Sequence, residues 1–373
     1  MMSSRNKVKS IIITGAGFSF PAGIPTQREL LYNMEVFQPN ALQPGSLKFM
    51  EAKEKVNRYL KTIFLQNTSE DCPKELLLYK LSNIQLEDIY TMLDQAIYKG
   101  DVIPPFSEDK LIEIRSALDN CIIYYLNYIQ TNLSSEKRGI YNNLYCKLMK
   151  NYGNDWLVVS TNWDTVWDEI LLSIHKDKNF DINYGPNIYG IEPDGRAKII
   201  EPNWFSPRLL KLHGSFNWLT CPQCHTIFIW PKEFGVRNIF DPICCPRCSY
   251  KSDDVIEPCL RPLFLTPSLI KNIKNPTLEL IWDEAFCALS SAEQVIFIGY
   301  SLPLADHDLR YLLRRSISKK TKVKVILHEK DRLIKNENFF ISPEFRYKSL
   351  LDLSDNDFYY DGFESFFSLE VSE

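Results

Sequence analysis

The chain has 373 residues, enough for two ordinary domains or for one large α/β domain carrying insertions. Hydrophobic residues make up 45% and charged residues 24%, as in soluble globular proteins, and 43 Lys and Arg against 47 Asp and Glu leave a net charge of −4. No overall basic charge points to nucleic acid, and no apolar run approaches the roughly 18 residues of a membrane span.

The first element in chain order is a β-branched run, Lys9 to Thr14, which reads as a buried strand ending at Gly15-Ala16-Gly17-Phe18-Ser19. No charged–apolar–small leader precedes it, so the expected setting is the cytoplasm, with reduced thiols and clustered cysteines that bind metal. Residues 27–151 carry Leu, Ile and Tyr at three- and four-residue spacing and read as a helical lobe inserted after that strand, with Glu87 and Asp88 on a solvated helix face. Asp155 to Ser160 is a second strand, leading into Thr161-Asn162-Trp163-Asp164. Leu209 to Leu212 is a third, ending at His213-Gly214. A Cys- and Pro-rich segment then runs from Cys221 to Cys259. Gln294 to Ile298 and Lys322 to Leu327 complete the strands, separated by a helix over Asp306 to Ser318. The last 33 residues, 341–373, hold eight acidic and two basic residues, a charge of −6 that leaves +2 for the remainder.

Each of the five strands ends in small or polar residues of the kind that build sites. Open parallel sheets bind ligands beyond the carboxyl ends of their strands, so the fold class expected is α/β, a Rossmann-like doubly wound parallel sheet with its site along one edge. Gly15-x-Gly17 lacks the third glycine of the full dinucleotide fingerprint, since Phe20 stands there. By itself it is more often an ordinary tight turn than a pyrophosphate cradle. Gly23-Ile24-Pro25 and the cation Arg28 favour the cradle.

Cys221-x-x-Cys224 and Cys245-x-x-Cys248, twenty residues apart, suit a tetrahedral Zn²⁺ site, and a filled four-thiolate shell is structural rather than catalytic. Cys244 is an alternative to Cys245, and His225 a spare ligand. Between Cys221 and Cys259 only Lys232, Arg237, Arg247 and Lys251 are basic, too few for a nucleic-acid module. By itself, Asn162-x-Asp164 after a strand is more often a turn and helix cap than a site. His213, one of five histidines, sits where a strand meets a glycine and suits a general base near neutral pH.

Taken together and in this order, Gly15 to Arg28, Ser160 to Asp164, Leu212 to Ser215, the two Cys pairs, Arg261-Pro262, Gly299-Tyr300-Ser301-Leu302 and His328-Glu329 resemble the Sir2 (sirtuin) family. The resemblance implies a Sir2-type NAD-binding domain over 1–340, with the helical insertion at 27–151 and a zinc-ribbon module at 219–260, followed by an acidic aromatic segment at 341–373. It implies NAD⁺ as the substrate and Zn²⁺ as a structural ion. Ala16 and Gly17 would lie against the pyrophosphate, with Ser19 and Arg28 in the same loop. Asn162 would hold the nicotinamide ribose or a water, Asp164 would face the nicotinamide amide, and His213 would be the base at the ribose hydroxyls. Gly299 and Ser301 would contact the phosphate–ribose side, and Glu329 the adenosine ribose.

Two departures from the deacylase pattern bear on activity. Thr26 and Gln27 replace the Asp and Phe of Gly-Ile-Pro-Asp-Phe-Arg, and a polar Gln27 favours attack by water on the intermediate. Phe264 to Ser268 replaces the substrate-binding Phe-Gly-Glu, so an acyl-lysine peptide loses its docking strand. Gly299 to Leu302 followed by Asp306 resembles instead the Sir2-like NAD-hydrolysing effectors of bacterial anti-phage systems. The expectation is an NAD⁺ glycohydrolase controlled as a homo-oligomer or by a separately encoded ATPase or sensor. A protein-lysine deacylase and a non-enzymatic NAD or ADP-ribose sensor are the alternatives. In 341–373, Phe345, Tyr347, Phe358, Tyr359, Tyr360, Phe363, Phe366 and Phe367 suit packing on the parent domain and partner docking equally well.

Overall fold

Apolar runs too short for helices and rich in β-branched residues become strands buried on both faces. In the computed structural model, which describes residues 8–66, 73–174, 182–192, 194–200, 207–229, 237–241, 243–248, 258–269, 275–328 and 342–369, this is what the five expected runs do. They form β1 (Ser10–Thr14), β2 (Trp156–Ser160), β5 (Leu209–Lys211), β9 (Gln294–Ile298) and β10 (Lys322–Ile326). Between β2 and β5 lie β3 (Tyr189–Ile191) and β4 (Ala197–Ile199); between β5 and β9 lie β6 (Gly214–Thr220), β7 (Ile227–Ile229) and β8 (Arg261–Phe264). A last strand, β11 (Phe358–Tyr359), comes from the C-terminal segment.

The main sheet runs β11-β10-β9-β1-β2-β5, and every neighbouring pair is parallel. Numbered along this sheet alone, that is the strand order of dinucleotide-binding folds, with its switch point between β1 and β9. Register aligns the carboxyl ends: Lys211 pairs with Ser160, Ser160 with Thr14, Thr14 with Ile298, and Ile298 with Ile326. The loops after these strands therefore all leave from one edge.

The helices are α1 (Ala16–Ser19), α2 (Gln27–Val36), α3 (Ser46–Ile63), α4 (Lys74–Ser82), α5 (Leu86–Lys99), α6 (Glu108–Thr131), α7 (Ser135–Tyr152), α8 (Val166–Ile174), α9 (Arg237–Phe240), α10 (Pro276–Ser291), α11 (His307–Ser316), α12 (Pro343–Leu351) and α13 (Gly362–Leu369). Strand alternation assigns them to faces. Trp156 meets Trp167 of α8 and Tyr145 of α7, whereas Phe297, whose side chain points the opposite way, meets Tyr347 of α12. Helices α7, α8 and α13 thus cover one face, and α10, α11 and α12 the other. Helices α2 to α6 form the lobe, with α6 as its spine against α3 and α5.

The remaining strands make a second sheet, β4-β3-β7-β6-β8, with β8 at its edge. Its own small core holds Cys221, Cys245, Phe228, Ile191 and Leu260. The aromatic segment after 341 packs on its own domain: Tyr347 and Phe367 are fully buried, and β11 extends the main sheet.

Candidate active site at the carboxyl edge

The loops after β1 and β9 meet backbone to backbone. Gly17 N donates to Gly299 O at 2.8 Å. A Cβ on Gly17 would come within 2.8 Å of Gly299 Cα, and one on Gly299 within 2.3 Å of Gly17 C, at a φ of +60°. Both positions therefore need glycine for this contact alone. Ala16 and Gly17 are exposed at the mouth of the switch point, while Ser19 is fully buried. The helix after this turn is a single four-residue turn, α1, continued by a 3₁₀ turn over Phe20–Ala22. These short turns stand after β1, and the chain then passes through Gly23-Ile24-Pro25 before the first longer helix, α2. The chain is held there by Tyr141 of α7, which donates to Phe18 O at 2.9 Å and accepts from Ala22 N at 3.1 Å. Phe18 stacks on Trp167 at 4.9 Å and meets Phe363 of α13 at 5.6 Å. Thr26 caps α2 in a reciprocal pairing with Glu29, and Arg28 is exposed on the first turn of that helix.

Behind this mouth lies a chain of buried polar groups. Asn162 Nδ2 donates to Gly15 O at 2.9 Å and to Ser19 Oγ at 3.0 Å. Two acceptors on the nitrogen fix the carboxamide's orientation and leave Oδ1 as an acceptor without a hydrogen-bond partner in the described chain. Asp164 Oδ1 accepts from Val166 N at 3.0 Å, an Asx turn that leads into α8. Burial raises its pKa, opposed by the Lys211 charge and by a hydrogen bond from Ser19. Ser19, expected in the phosphate loop, thus ties Asn162 to Asp164. Lys211, 1% exposed, donates to Asp164 O at 2.5 Å and to Asp168 Oδ2 at 3.1 Å, and Tyr184 OH binds the other oxygen of Asp168.

His213 sits at the next strand end, buried. Its Nδ1 lies 3.1 Å from Thr161 O, an oxygen that only accepts, so Nδ1 carries a proton and Nε2 is the lone-pair nitrogen of the neutral ring. Nε2 is buried without a hydrogen-bond partner; Asp306 Oδ1 is 3.3 Å away but not aligned for one. Asp306 is held by Tyr300 OH at 2.6 Å, and burial first, then the Asp306 charge, keeps that phenol protonated. The ring is framed by Trp282, whose Nε1 donates to Leu212 O at 2.9 Å. Below it, Leu265 N donates to His213 O at 2.8 Å and Trp163 Nε1 to Leu265 O at 3.0 Å.

The structure therefore brings Asn162, Asp164, Ser19 and His213 together, with Gly17 and Gly299 beside them. Ser301 is exposed, and its carbonyl accepts from Arg346 of α12 at 2.7 and 3.1 Å. Glu329 lies outside the described residues. Lys211, Asp168, Tyr184, Tyr300 and Asp306 are site residues that the sequence reading did not assign.

The cysteine cluster is separate from this edge. Cys221, Cys224, Cys245 and Cys248 place their sulfurs within 4.8 Å of one another, with Cys221–Cys248 and Cys224–Cys245 each at 3.8 Å. Four sulfurs about 2.3 Å from a tetrahedral Zn²⁺ would be spaced about 3.8 Å apart, so the donor set fits the ion. Backbone N–H groups of Gln223 and Cys224 point at the Cys221 sulfur, 3.4 Å away, and stabilise negative charge there. Cys245, not Cys244, is the fourth member.

No protein-family model matches the chain, and no curated protein sequence matches it. Among solved structures it is similar to Sir2Tm bound to a propionylated peptide, at 14% identity and a TM-score of 0.42, over 98% of this chain and 92% of that one. It is also similar to a Sir2–p53 peptide–NAD⁺ structure, at 15% identity and a TM-score of 0.38, over 97% and 91%. Among the described residues no helix is long and apolar enough to cross a membrane.

Proposed function

We propose that the protein is a Sir2-like NAD⁺ glycohydrolase that cleaves NAD⁺ and water to nicotinamide and ADP-ribose, and that it serves as an NAD⁺-depleting effector in bacterial anti-phage defence. One observation carries the reading: a carboxamide locked by two hydrogen bonds with its acceptor oxygen unpaired, beside a buried imidazole whose Nε2 has no hydrogen-bond partner. Both stand at the carboxyl edge of a parallel sheet, near its switch point.

Loss of nicotinamide builds positive charge at the anomeric carbon while the departing base becomes neutral, so the protein must orient the ribose and a water rather than supply a metal. Asn162 Oδ1 accepts from the attacking water or a ribose hydroxyl. His213 Nε2 takes the proton that is released. Asp164 holds the loop on which Asn162 stands. An enzyme of this kind left active would exhaust its host's NAD⁺, so control by self-assembly or by a partner such as an ATPase belongs to the same reading.

A second reading, NAD-dependent deacylation of a lysine peptide, is favoured by one feature. β8 is an edge strand of the second sheet, with β6 as its hydrogen-bonded neighbour, and open edges accept peptides. An assay of nicotinamide release from NAD⁺, with and without an acyl-lysine peptide, separates the two. A hydrolase releases nicotinamide without peptide, a deacylase only with it, and a sensor binds NAD⁺ without release. His213→Ala and Asn162→Ala should each slow release by about 10²–10⁴-fold. Variants as fast as the parent would sink the proposal.

A further inference from the structure

On the small sheet, two cysteines outside the metal cluster face each other. Cys244 and Cys259 are opposite one another in an isolated antiparallel bridge. Its flanking bonds run from Cys245 N to Pro258 O at 2.9 Å and from Leu260 N to Ile243 O at 2.8 Å. Bonds from the neighbours on both sides, and none between the two residues themselves, define a non-hydrogen-bonded pair. In such a pair the facing Cα atoms are about 4.5 Å apart and the side chains are at their closest. A disulfide spans Cα separations of about 4.4–6.8 Å, so this backbone accommodates one as it stands. Alternation supports the pairing. Cys245 and Leu260 point into the module core and are buried, so Cys244 and Cys259 share the outer face, where both are exposed thiols. The four-sulfur cluster is complete without them.

We propose that Cys244 and Cys259 form a reversible disulfide, a redox-modification site on the outer face of the cysteine module, with low-molecular-weight disulfides as the oxidant. The sulfur of one cysteine attacks the oxidant's S–S bond, forming a mixed disulfide and releasing one thiol. The second cysteine then attacks the mixed disulfide, forming the internal S–S bond and releasing the other thiol. The two protein thiols lose two electrons and two protons, and the oxidant gains both as two thiols. The new bond staples the approach to Cys245 onto the approach to β8, the strand that leads to Leu265 and so to the carbonyl of His213.

The test treats the full-length, metal-loaded chain with oxidised glutathione, caps the remaining thiols, digests with trypsin and reads the peptides by mass spectrometry, with metal content measured in parallel. Arg247 and Lys251 lie between the two cysteines, so cleavage leaves their peptides joined only by the disulfide. The expected product is that linked pair, lighter by two hydrogens, split by reductant and with metal content unchanged. Because Cys245 shares a tryptic peptide with Cys244, the variants Cys244→Ser and Cys259→Ser decide the assignment. Each should lose the linked pair and retain glutathione on the remaining cysteine. Glutathione adducts without a linked pair in the parent protein, a linked pair that survives Cys244→Ser, or metal loss accompanying the link would each overturn the proposal. None of these readouts depends on NAD⁺ cleavage, so the inference stands or falls apart from the activity.

Discussion

At the amino ends of β1, β9 and β10 the main sheet opens onto a cleft of about 610 Å³ lined by Lys9, Asp155, Glu293, Lys320 and Lys322 among others. At the carboxyl ends, buried polar side chains hold one another. The two edges use the same kinds of residue in opposite ways. Lys9 is 58% exposed and reaches Asp155 at 3.5 Å through solvent, where such pairs contribute little. Lys211 is 1% exposed, and two of its three donors are committed, one to a carbonyl and one to a carboxylate. Chemistry at the second edge comes from buried polar groups that hold one another and leave two atoms, Asn162 Oδ1 and His213 Nε2, without a hydrogen-bond partner among the described residues. The open cleft at the strand starts is thus the weaker candidate for a site.

The sharpest way to break that contrast is to remove the lysine that anchors the buried side. Lys211→Met leaves the Asp168 carboxylate in the interior without its cation partner, a change that costs about 3–5 kcal/mol. Denaturant unfolding should show a loss of that order, and nicotinamide release should fall as well, because the Asp164 carbonyl loses its donor. Adding Asp168→Asn neutralises the stranded charge and should restore much of the stability while leaving activity low. If stability and activity recover together, Lys211 is a structural ion pair and nothing more.

The same contrast explains what could be read from the sequence. The five main strands were legible because a strand buried on both faces shows as an unbroken apolar run, as Ile11-Ile12-Ile13 and Val295-Ile296-Phe297 do. The second sheet was not, since β3, β4 and β7 are three residues each and their pairing is imposed by the folded module rather than by local pattern. Nor was β11, two residues long, although Phe363, Phe366 and Phe367 repeat at helical spacing and do pack inward. In the site, Asn162 and His213 stood out because they end strands. Lys211 does carry a signal in the sequence: a cation inside Leu209-Leu210-Lys211-Leu212 must find a buried partner. Which partner was beyond the sequence, because Asp168 on α8 reads as an ordinary helix-face charge and Tyr184 lies in a loop. Ser19 and Asp306 were placed by turns whose geometry no local pattern specifies.

Asp164 sharpens the comparison more gently. Its native pKa is raised by burial, so the folded chain holds its proton to higher pH than the unfolded chain does. Between the two pKa values the native state binds more protons, and this residue's contribution to stability falls as pH rises. Asp164→Asn removes that dependence and keeps an oxygen to accept from Val166 N. The variant should therefore melt higher than the parent at neutral pH. Its advantage should shrink as pH falls through the native pKa of Asp164. Thermal unfolding across pH 3–8 reads both effects, and an advantage independent of pH would show that the gain comes from packing instead.

The smallest effect is expected at the amino-end cleft. Lys320 and Lys322 are exposed, and no polar network among the described residues depends on either. Surface substitutions of this kind usually stay within about 0.5 kcal/mol. Lys320→Ala and Lys322→Ala, singly and together, should leave unfolding midpoints and nicotinamide release at parental values. A near-null result is informative here because the same two lysines line the amino-end cleft. If the double variant instead loses NAD⁺ binding in calorimetry while His213→Ala retains it, the ligand enters at the strand starts. The buried network at the opposite edge would then be a stability device for the sheet, and partnered burial there would mark structure rather than function.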